Sequence, residues 1–503
     1  MKRLLPGLAL ALVFLPPMAR AADELFDFEV LQFRAKTLAM QPYQEPKQRV
    51  PDWLLKLNYD QFRDIRFDPM RAWWRAEQLP FHLQFFHPGG LFSKPVQIHE
   101  VIGRKERKID FSPRLFDYGH NKLSGRIPSD MGFAGFRLHA ALNRPDYYDE
   151  LAVFLGASYF RALGKGMHYG LSARGLALDT AEPGGEEFPA FEQFWIERPV
   201  AGAKSVTVYA LLNSPSVAGA YRFIITPGVE TVMQVKAAVY CRKNPKVFGI
   251  APLTSMFAHG ENTGWSSNDF RPEVHDSDGL LMETGAGEWI WRPLVNPREV
   301  RLSSFSDPSP RGFGLMQRDR EFGHYDDLEA YYHQRPSAWV EPVGGWGPGV
   351  VRLVELPSPT ETNDNVVAFW VPAQLPPAGE PIAFEYRLHW LMDPAGRPPA
   401  GHVSSTRQAS VLGQPGLRRF VVEFDGRYLN QEPSDPEIKA VVSVGGGARL
   451  AAESLVQKNN FSGAWRAVFE VQPDNSGRPV EMRCYLKKGQ HVLTETWSYL
   501  WNP

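Results

Sequence analysis

The sequence predicts an all-β protein built from antiparallel sheets that pack face to face. Short apolar stretches are separated by turn-forming residues along the 503-residue chain, which contains 43 Pro and 43 Gly. Residues 382–390 alternate apolar and polar side chains, as a strand with one buried face does. Strands do not alternate with long helices in the pattern, which argues against a doubly wound α/β fold.

Residues 1–21 predict a signal peptide. Lys2 and Arg3 precede an apolar run, Leu4–Leu15, which is too short to cross a bilayer as a helix. An A-x-A-like site follows, and we expect cleavage after Ala21. Export by the general secretory route is favoured, because the leader contains no twin arginine. No later stretch predicts a transmembrane helix, so we expect no membrane span in the mature chain.

The chain after the leader begins with mixed elements and then turns to β-structure. Residues 22–50 predict one strand or a short helix, and residues 50–69 predict a short helix followed by a strand. Residues 220–240 predict two strands joined by a Pro-Gly turn. One later helix is predicted over residues 324–336, where apolar residues recur at helical spacing and a proline ends the pattern.

Composition changes near the C-terminal end predict a second domain. Residues 393–417 are rich in Pro, Gly and Ser and are interpreted as a linker. Several short strands fill residues 418–503, and their size and spacing are typical of an immunoglobulin-like sandwich. The Cys…Trp…Cys pattern of true immunoglobulin domains is absent. Residues 22–392 then form the large N-terminal domain.

Charge and motifs argue against several functions. The formal net charge is −1, so no global field attracts nucleic acid. Lys165 is followed by Gly where a phosphate-binding loop needs Ser or Thr, and no nucleophile elbow or zinc-binding cluster occurs. We therefore expect no cofactor and no metal. For Cys241 and Cys484, two buried thiols are favoured, although export permits a disulfide and pairing stays open.

Two acidic stretches are candidates for catalysis. Asp276 and Asp278 lie one residue apart in HDSDG and would share a face if the backbone were extended. Asp364 lies in ETNDN, just before an apolar run. If the fold joins Asp276 and Asp364 across one cleft, the chain has the paired carboxylates that cleavage of a glycosidic bond needs. The alternative is structural, because Asp beside Gly or Asn commonly forms turns.

Further polar and aromatic residues concentrate between residues 254 and 370. Each of them alone is more typical of core packing or of an ordinary ion pair. As a group they favour a sugar-binding cleft, because pyranose rings stack on aromatic faces and hydroxyls bond to charged side chains. The candidate substrate-binding residues are Asp278, Trp291, His324, Tyr332, Arg335 and Glu361.

Eight segments of the chain are distinctive when taken together. They are NYDQFRDIRF, LPFHLQFFHPGGLF, FLGASYFRALGKGMHYGLSARGLALDT, GEEFPAFEQFWIERP, FRPEVHDSDGL, GEWIWRPLVNP, RGFGLMQRDREFGHYDDLEAYYHQRPSAWVEP and ETNDNVVAFW. These segments resemble a known family, the osmoregulated periplasmic glucan biosynthesis proteins of the G and D types. The resemblance runs from about residue 25 to residue 500. Proteins of the D type usually carry a twin-arginine signal, so this chain looks like the G type.

The resemblance implies a fold and a chemistry. The large domain would be a β-sandwich similar to galactose mutarotase, followed by a small immunoglobulin-like domain. The protein would act in the periplasm on the β-1,2-linked glucan backbone, as an inverting endo-hydrolase. Asp364 matches the general acid and Asp276 the general base, which reaches its water through a relay of hydroxyls and waters. Tyr332 and Arg335 match positions near the substrate.

Two functions from different classes therefore remain. The first is a periplasmic hydrolase that trims β-1,2-glucan. The second is a non-catalytic scaffold that holds nascent glucan and partners the inner-membrane glucosyltransferase. The two differ in what they require of Asp364, whose carboxyl is needed for hydrolysis and not for scaffolding.

Overall fold

In a computed structural model, β-strands are by far the commonest regular structure of the described residues, and this confirms the predicted all-β class. The predicted signal peptide and its cleavage site lie outside the described residues. No helix within the described ranges is long and apolar enough to cross a membrane. The described residues are 25–123, 125–264, 268–377, 379–392, 396–474 and 476–503.

The regular elements are three short helices and a long series of strands. The helices are α1 (Phe28–Ala39), α2 (Asp52–Leu55) and α3 (Tyr59–Arg63). The strands of the first half are β1 (Arg66–Phe67), β2 (Phe81–Phe86), β3 (Gln97–Ile102), β4 (Lys105–Ile109), β5 (Phe116–Asp117), β6 (Gly135–Arg144), β7 (Tyr147–Leu155), β8 (Tyr159–Ala162), β9 (Ser172–Arg174), β10 (Leu176–Leu178), β11 (Ala190–Glu197), β12 (Val206–Asn213), β13 (Val217–Thr226), β14 (Thr231–Cys241), β15 (Phe248–Ser255) and β16 (Phe257–His259). Those of the second half are β17 (Val274–His275), β18 (Gly279–Glu283), β19 (Trp289–Pro293), β20 (Arg301–Asp307), β21 (Gly312–Met316), β22 (Ser337–Pro342), β23 (Gly349–Glu355), β24 (Val366–Pro372), β25 (Ile382–Leu391), β26 (His402–Ser410), β27 (Arg418–Asp425), β28 (Ile438–Val444), β29 (Arg449–Leu450), β30 (Leu455–Lys458), β31 (Trp465–Gln472), β32 (Val480–Lys488), β33 (His491–Val492) and β34 (Thr496–Trp501).

Two large sheets form the N-terminal sandwich. One sheet has the strand order β2-β6-β7-β8-β9-β15-β24-β23-β20, and β10 also pairs with β15. The other includes β18-β21-β22-β25-β14-β13-β12-β11-β3-β4. Most pairings are antiparallel, as predicted, and β13 and β14 form the hairpin expected over residues 220–240. One apolar core contains side chains from both sheets, which identifies the layers as facing each other.

Helix α1 covers the outer face of the second sheet. Asp27 caps the helix by accepting a hydrogen bond from the amide of Val30 at 3.0 Å. Its apolar side, including Leu31 and Ala35, packs on β12, β13 and β14 in a separate small core with Trp195. Of the two elements that the sequence allowed here, the helix is the one that forms.

The C-terminal strands build a second sandwich that shares a sheet with the first. Strands β28, β32 and β34 extend the large sheet, because β34 pairs in parallel with β19. Strands β26, β27, β31, β29 and β30 form the opposing sheet. Trp465 and Trp497 are fully buried between these layers. Residues His402–Ser410, within the segment interpreted as a linker, form β26, and the domain boundaries stay a prediction.

The helix predicted over residues 324–336 is wrong. The structure has two short 3₁₀ turns there, Phe322–His324 and Tyr332–Gln334, with loop between them. Asp327 accepts hydrogen bonds from the amides of Glu329 and Ala330 at 2.8 and 2.7 Å, which replaces helical pairing by a side-chain turn. Tyr331 has a φ of 50°, so a right-handed helix cannot pass through it.

Neither cysteine forms a disulfide. Cys484 is buried in the C-terminal core, and Cys241 is half-buried at the end of β14. Burial raises the pKa of both thiols above the usual value, which favours the protonated, unreactive form.

We expect the buried ion pair between Arg318 and Glu495 to hold the two sandwiches together. The Arg318 guanidinium donates to both carboxylate oxygens, at 2.6 and 3.0 Å, and the Glu495 side chain is fully buried. Arg318→Met should lower stability by about 3–5 kcal/mol, because it leaves that carboxylate unpaired. Thermal unfolding measures the change. Arg478→Met, which breaks the exposed pair with Asp474, is the control, and equal losses in both variants would contradict the expectation.

Candidate active site

Asp276 lies at a bend between β17 and β18. Its amide donates to the carbonyl of Met256 at 2.8 Å, and the neighbouring Ser277 hydroxyl bonds to that of Ser255 at 2.8 Å. Strand β17 also pairs with β16, where His275 is opposite Phe257. These contacts fix the backbone of Asp276 against the short segment that links β15 to β16.

Asp364 is held against the same segment by its neighbour, Asn365. The buried Asn365 side chain accepts from the amide of Phe257 at 2.8 Å and donates to the carbonyl of that residue at 2.9 Å. The backbone amide of Asn365 donates to the carbonyl of Ser255 at 3.0 Å. The main chain at residues 255–257 thus binds both acidic stretches, although they are far apart in the sequence.

Burial and neighbouring charges shift the pKa of both carboxyl groups. Burial raises the pKa of Asp276 to about 6; the charge of Arg335 opposes this shift, and the charge of Asp364 adds to it. Burial also raises the pKa of Asp364, against the opposing charges of Arg161, Arg174 and Arg335. Asp364 is nevertheless exposed to solvent. An exposed carboxyl group that is still desolvated lies in a recess with protein around it.

Arg335 connects Asp276 to the buried side chain of Tyr332. Its guanidinium forms an ion pair with Asp276, and its centre lies 4.2 Å from the ring centroid of Tyr332. Its Nε donates to the carbonyl of Ala330 at 3.1 Å. Gly170 approaches the Arg335 side chain closely, because a Cβ at residue 170 would lie 2.9 Å from the Arg335 Cβ. The arginine is thereby fixed along most of its length.

Arg271 connects three loops around the site. Its guanidinium bonds to Asp269 at 2.8 Å, to Asp327 at 2.9 Å and to the carboxylate of Glu361. Glu361 begins the ETNDN stretch, so this cluster ties the loop that carries Asp364 to the loops that precede Asp276 and Arg335. These bonds raise the pKa of Arg271, which keeps it charged. We call Arg271 and its three carboxylates the loop clamp.

Asp278 belongs to a different environment from Asp276. Its carboxylate accepts from the amides of Arg318 and Asp319, the latter at 2.8 Å, and pairs with His275 at 3.2 Å. The backbone bends at both residues, so the extended geometry that would put them on one face is absent. Although burial opposes it, the charges of Asp278 and Glu273 raise the pKa of His275 to about 9. Asp278 therefore supports a protonated His275 beneath the site.

Trp291 is packed into the C-terminal core. Only 4% of it is exposed, the Arg318 guanidinium lies 3.7 Å from its ring centroid, and Gly279 touches the ring. A Cβ at residue 279 would lie 2.4 Å from that ring. The structure therefore leaves the Trp291 ring no free face on which a sugar could stack.

One cluster among the described residues has donor atoms suited to a metal ion. The ligand atoms of Glu273, Asp319 and His324 all lie within 4.8 Å of one another. The same atoms already serve as hydrogen-bond partners: His324 contacts Asp319 at 2.5 Å, and Glu273 contacts His275 at 2.9 Å. The absence of a metal stays a prediction, and His324 lies in this cluster.

Sequence reasoning missed several residues of the site. Arg161 and Arg174, on neighbouring strands β8 and β9, act on the charge of Asp364, and Asn365 positions it. These residues stand in the quoted family segments, but no role was assigned to them. The local sequence around each of these residues does not predict a role in the site. Pairing between strands that are distant in the sequence decides which side chains lie together.

The fold and the site define a class: an all-β protein with two sandwiches, in the larger of which one short main-chain segment binds two acidic stretches. A sequence model described as "Periplasmic glucan biosynthesis protein, MdoG" matches residues 26–501. This chain therefore belongs to the periplasmic glucan biosynthesis protein family.

Relatives named for both types in the family are similar to almost the whole chain. A glucans biosynthesis protein G of Ralstonia nicotianae is 51% identical over 479 residues, which cover 93% of this chain and 95% of the relative. A glucans biosynthesis protein D 1 of the same organism is 46% identical over 519 residues, covering 99% and 96%. A probable glucans biosynthesis protein D of Shewanella oneidensis is 45% identical over 488 residues, covering 96% and 89%.

The loop clamp should restrain the loop that carries Asp364. We expect Arg271→Ala to speed hydrogen exchange of the amides of residues 356 and 365 on the order of tenfold, equivalent to about 1.4 kcal/mol of local opening. Mass spectrometry of the exchanged protein measures this. Arg311→Ala, which removes the exposed pair with Glu283, should leave these amides unchanged. Unchanged exchange in Arg271→Ala would contradict a restraining role.

Proposed function

We propose that this protein takes part in the biosynthesis of periplasmic glucans by cleaving the β-1,2-glucan backbone as an inverting endo-hydrolase. Asp364 is the general acid and Asp276 the general base. The observation that carries the proposal is that the main chain of residues 255–257 binds both acidic stretches, through the backbone amide of Asp276 and through the side chain of Asn365 beside Asp364. Inverting glycosidases need one protonated and one ionised carboxyl group on opposite sides of the scissile bond.

The environment of Asp364 suits a proton donor. A general acid must keep its proton near neutral pH, and burial raises the pKa of Asp364 in that direction. The same side chain is exposed, so a glycosidic oxygen can reach it. Arg161 and Arg174, on the neighbouring strands β8 and β9, would stabilise the carboxylate that remains after proton transfer. Arg161, which is partly exposed, would also orient sugar hydroxyls by hydrogen bonding.

The environment of Asp276 suits a base that acts through a relay. With a pKa of about 6, the group is mostly ionised at neutral pH. Only 5% of Asp276 is exposed, and the Arg335 guanidinium donates a hydrogen bond to one of its carboxylate oxygens. A water that attacks the anomeric carbon would therefore lose its proton through intervening hydroxyls or waters. Such a relay permits a larger separation between acid and base than a single bridging water does.

The remaining candidate residues take supporting parts in this proposal. Tyr332 and Arg335 line the base side, and Glu361 holds the acid loop through Arg271. Asp278 pairs with His275, the residue before Asp276. His324 pairs with Asp319, whose amide bonds to Asp278. Trp291 has no part in substrate binding here, because both faces of its ring are covered.

The second candidate is a non-catalytic scaffold that binds nascent glucan beside the inner-membrane glucosyltransferase. One observation favours it: the Asp276 carboxylate is buried and already neutralised by Arg335, as in a structural ion pair. On this alternative the recess binds glucan, and no proton is transferred.

Substitution of the acid separates the two candidates. Asp364→Asn should lower release of reducing ends from linear β-1,2-glucan by about 10²–10⁴-fold with the fold intact, because the amide cannot donate the proton. Product sizing after incubation with the purified protein measures this. Glu380→Gln, on the loop between β24 and β25, is the matched control. Unchanged turnover in Asp364→Asn would refute the hydrolase, and restored glucan production by this variant in cells would favour the scaffold.

The pH dependence should report the state of Asp276. Because the base must be ionised, kcat/KM should rise with pH through about 6, the pKa of Asp276 in the folded protein. Arg335 lowers this pKa, so Arg335→Gln should move the rising limb to higher pH, whereas Arg335→Lys should move it less. Initial rates across the pH range measure the position of the rising limb in the unsubstituted protein and in both variants. A limb that moves to lower pH in Arg335→Gln would exclude Asp276 as the group that titrates.

A further inference from the structure

A second concave surface adjoins the recess of Asp364. It lies between the N-terminal segment and strands β7, β8, β11 and β12, with Tyr43, Tyr159 and Phe188 among its lining residues. Tyr159, on β8, lines this pocket, and β8 lies in the sheet order β8-β9-β15-β24, whose last strand begins two residues after Asp364. The charge of Asp364 also adds to the rise in the pKa of Tyr159 that burial causes. We call it the aromatic pocket.

Arg174 connects the two places through its guanidinium. Its centre lies 5.5 Å from the ring centroid of Tyr159 and 5.6 Å from that of Phe188, and its charge also acts on Asp364. Arg174 is almost completely buried and bonds to Glu186 at 2.7 Å. Since this side chain is fixed, the rings of Tyr159 and Phe188 are held at a constant position relative to Asp364.

The polar lining of the aromatic pocket has an unused hydrogen-bonding group. Asn213 is 5% exposed; its Nδ2 donates to Glu192 at 3.0 Å, while its Oδ1 has no hydrogen-bond partner among the described residues. A buried amide oxygen without a partner costs stability unless a ligand or water supplies a donor. A sugar hydroxyl is such a donor.

The wall formed by Tyr43 is anchored. Arg242 donates to the carbonyl of Gln41 at 2.9 Å and to that of Leu38 at 2.8 Å, and its guanidinium lies 6.0 Å from the Tyr43 ring centroid. Lys94, also in the lining, is paired with Glu45 at 2.7 Å. Because Glu45 pairs with this lysine, the pocket presents aromatic faces together with the amide of Asn213 and the carboxyl group of Glu192.

We propose that the aromatic pocket is a distal subsite that binds glucose units of the same glucan chain whose scissile bond lies at Asp364. The proposal rests on the proposed function for the identity of the ligand as a glucan. Aromatic faces stack on pyranose rings, and Asn213 and Glu192 offer hydrogen-bonding partners to hydroxyls. The subsite makes the protein selective for long chains, because a short oligosaccharide that reaches Asp364 does not extend into the pocket.

Binding measurements on an inactive background test this subsite without depending on catalysis. In Asp364→Asn protein, Phe188→Ala and Tyr43→Ala should each weaken binding of long linear β-1,2-glucan on the order of tenfold, and should leave binding of short β-1,2-linked oligosaccharides unchanged. Isothermal titration calorimetry measures both ligands. Phe188 is half exposed, so its truncation is compatible with folding, which circular dichroism checks. Phe461→Ala, an exposed aromatic residue of the C-terminal sandwich, is the matched control.

The outcomes separate the subsite from the reaction. Equal weakening of long and short ligands, or unchanged binding of both in the two variants, would overturn the subsite, as would absence of glucan binding by the Asp364→Asn parent. Loss of affinity for long chains alone supports it, even if the unsubstituted protein proves not to hydrolyse glucan. If it does hydrolyse glucan, Phe188→Ala should lower kcat/KM for long chains and not for short ones.

Discussion

The main chain of residues 255–257 is the constraint on which the candidate site depends. Met256 accepts the amide of Asp276, and Phe257 is bonded on both its amide and its carbonyl by the Asn365 side chain. Two loops from distant parts of the sequence are thereby fixed on adjacent residues of one strand connection. The relative position of the two acids follows from backbone hydrogen bonds, which tolerate little displacement because their groups are buried.

Burial and charge have opposite effects on the pKa values of Asp276 and Asp364. Desolvation raises both pKa values, while arginines around each carboxyl group limit the rise. Arg335 lowers the pKa of both groups, so one guanidinium stabilises the ionised form of each. Beneath them, the protonated His275 compensates the charge of Asp278, and the network ends at the Arg318 pair that joins the sandwiches. The site and the junction between the sandwiches are therefore one continuous polar layer.

The local patterns of the sequence predicted much of the fold and less of the site. Alternation in residues 382–390 and the turn at Pro227-Gly228 identify β25, β13 and β14, because strand periodicity is a local property. The parallel pairing of β34 with β19 is not local, and no pattern predicts it. The helix expected around Tyr331 failed because the Asp327 side chain competes for the backbone amides.

For the site itself, spacing could not show that Asp276 and Asp364 meet; the family resemblance suggested it. The role of Asn365 was hidden for the same reason, since its partners lie more than a hundred residues away. Trp291 shows how tertiary contacts bear on such a prediction. An aromatic residue beside acidic motifs suggests a stacking platform, but the register of β18 and β19 turns its ring onto Gly279 and into the core.

The sheet shared by the sandwiches has a consequence for how the protein is completed. Strand β34 (Thr496–Trp501) follows β19 late in the sequence, yet it lies between β32 and β19 inside the large sheet. Until β34 is synthesised, the hydrogen-bonding edge of β19 has no partner, and an open edge invites pairing with other chains. A copy truncated before β34 would thus lose more than its small sandwich, because it would expose an unpaired strand edge in the sheet that the two sandwiches share.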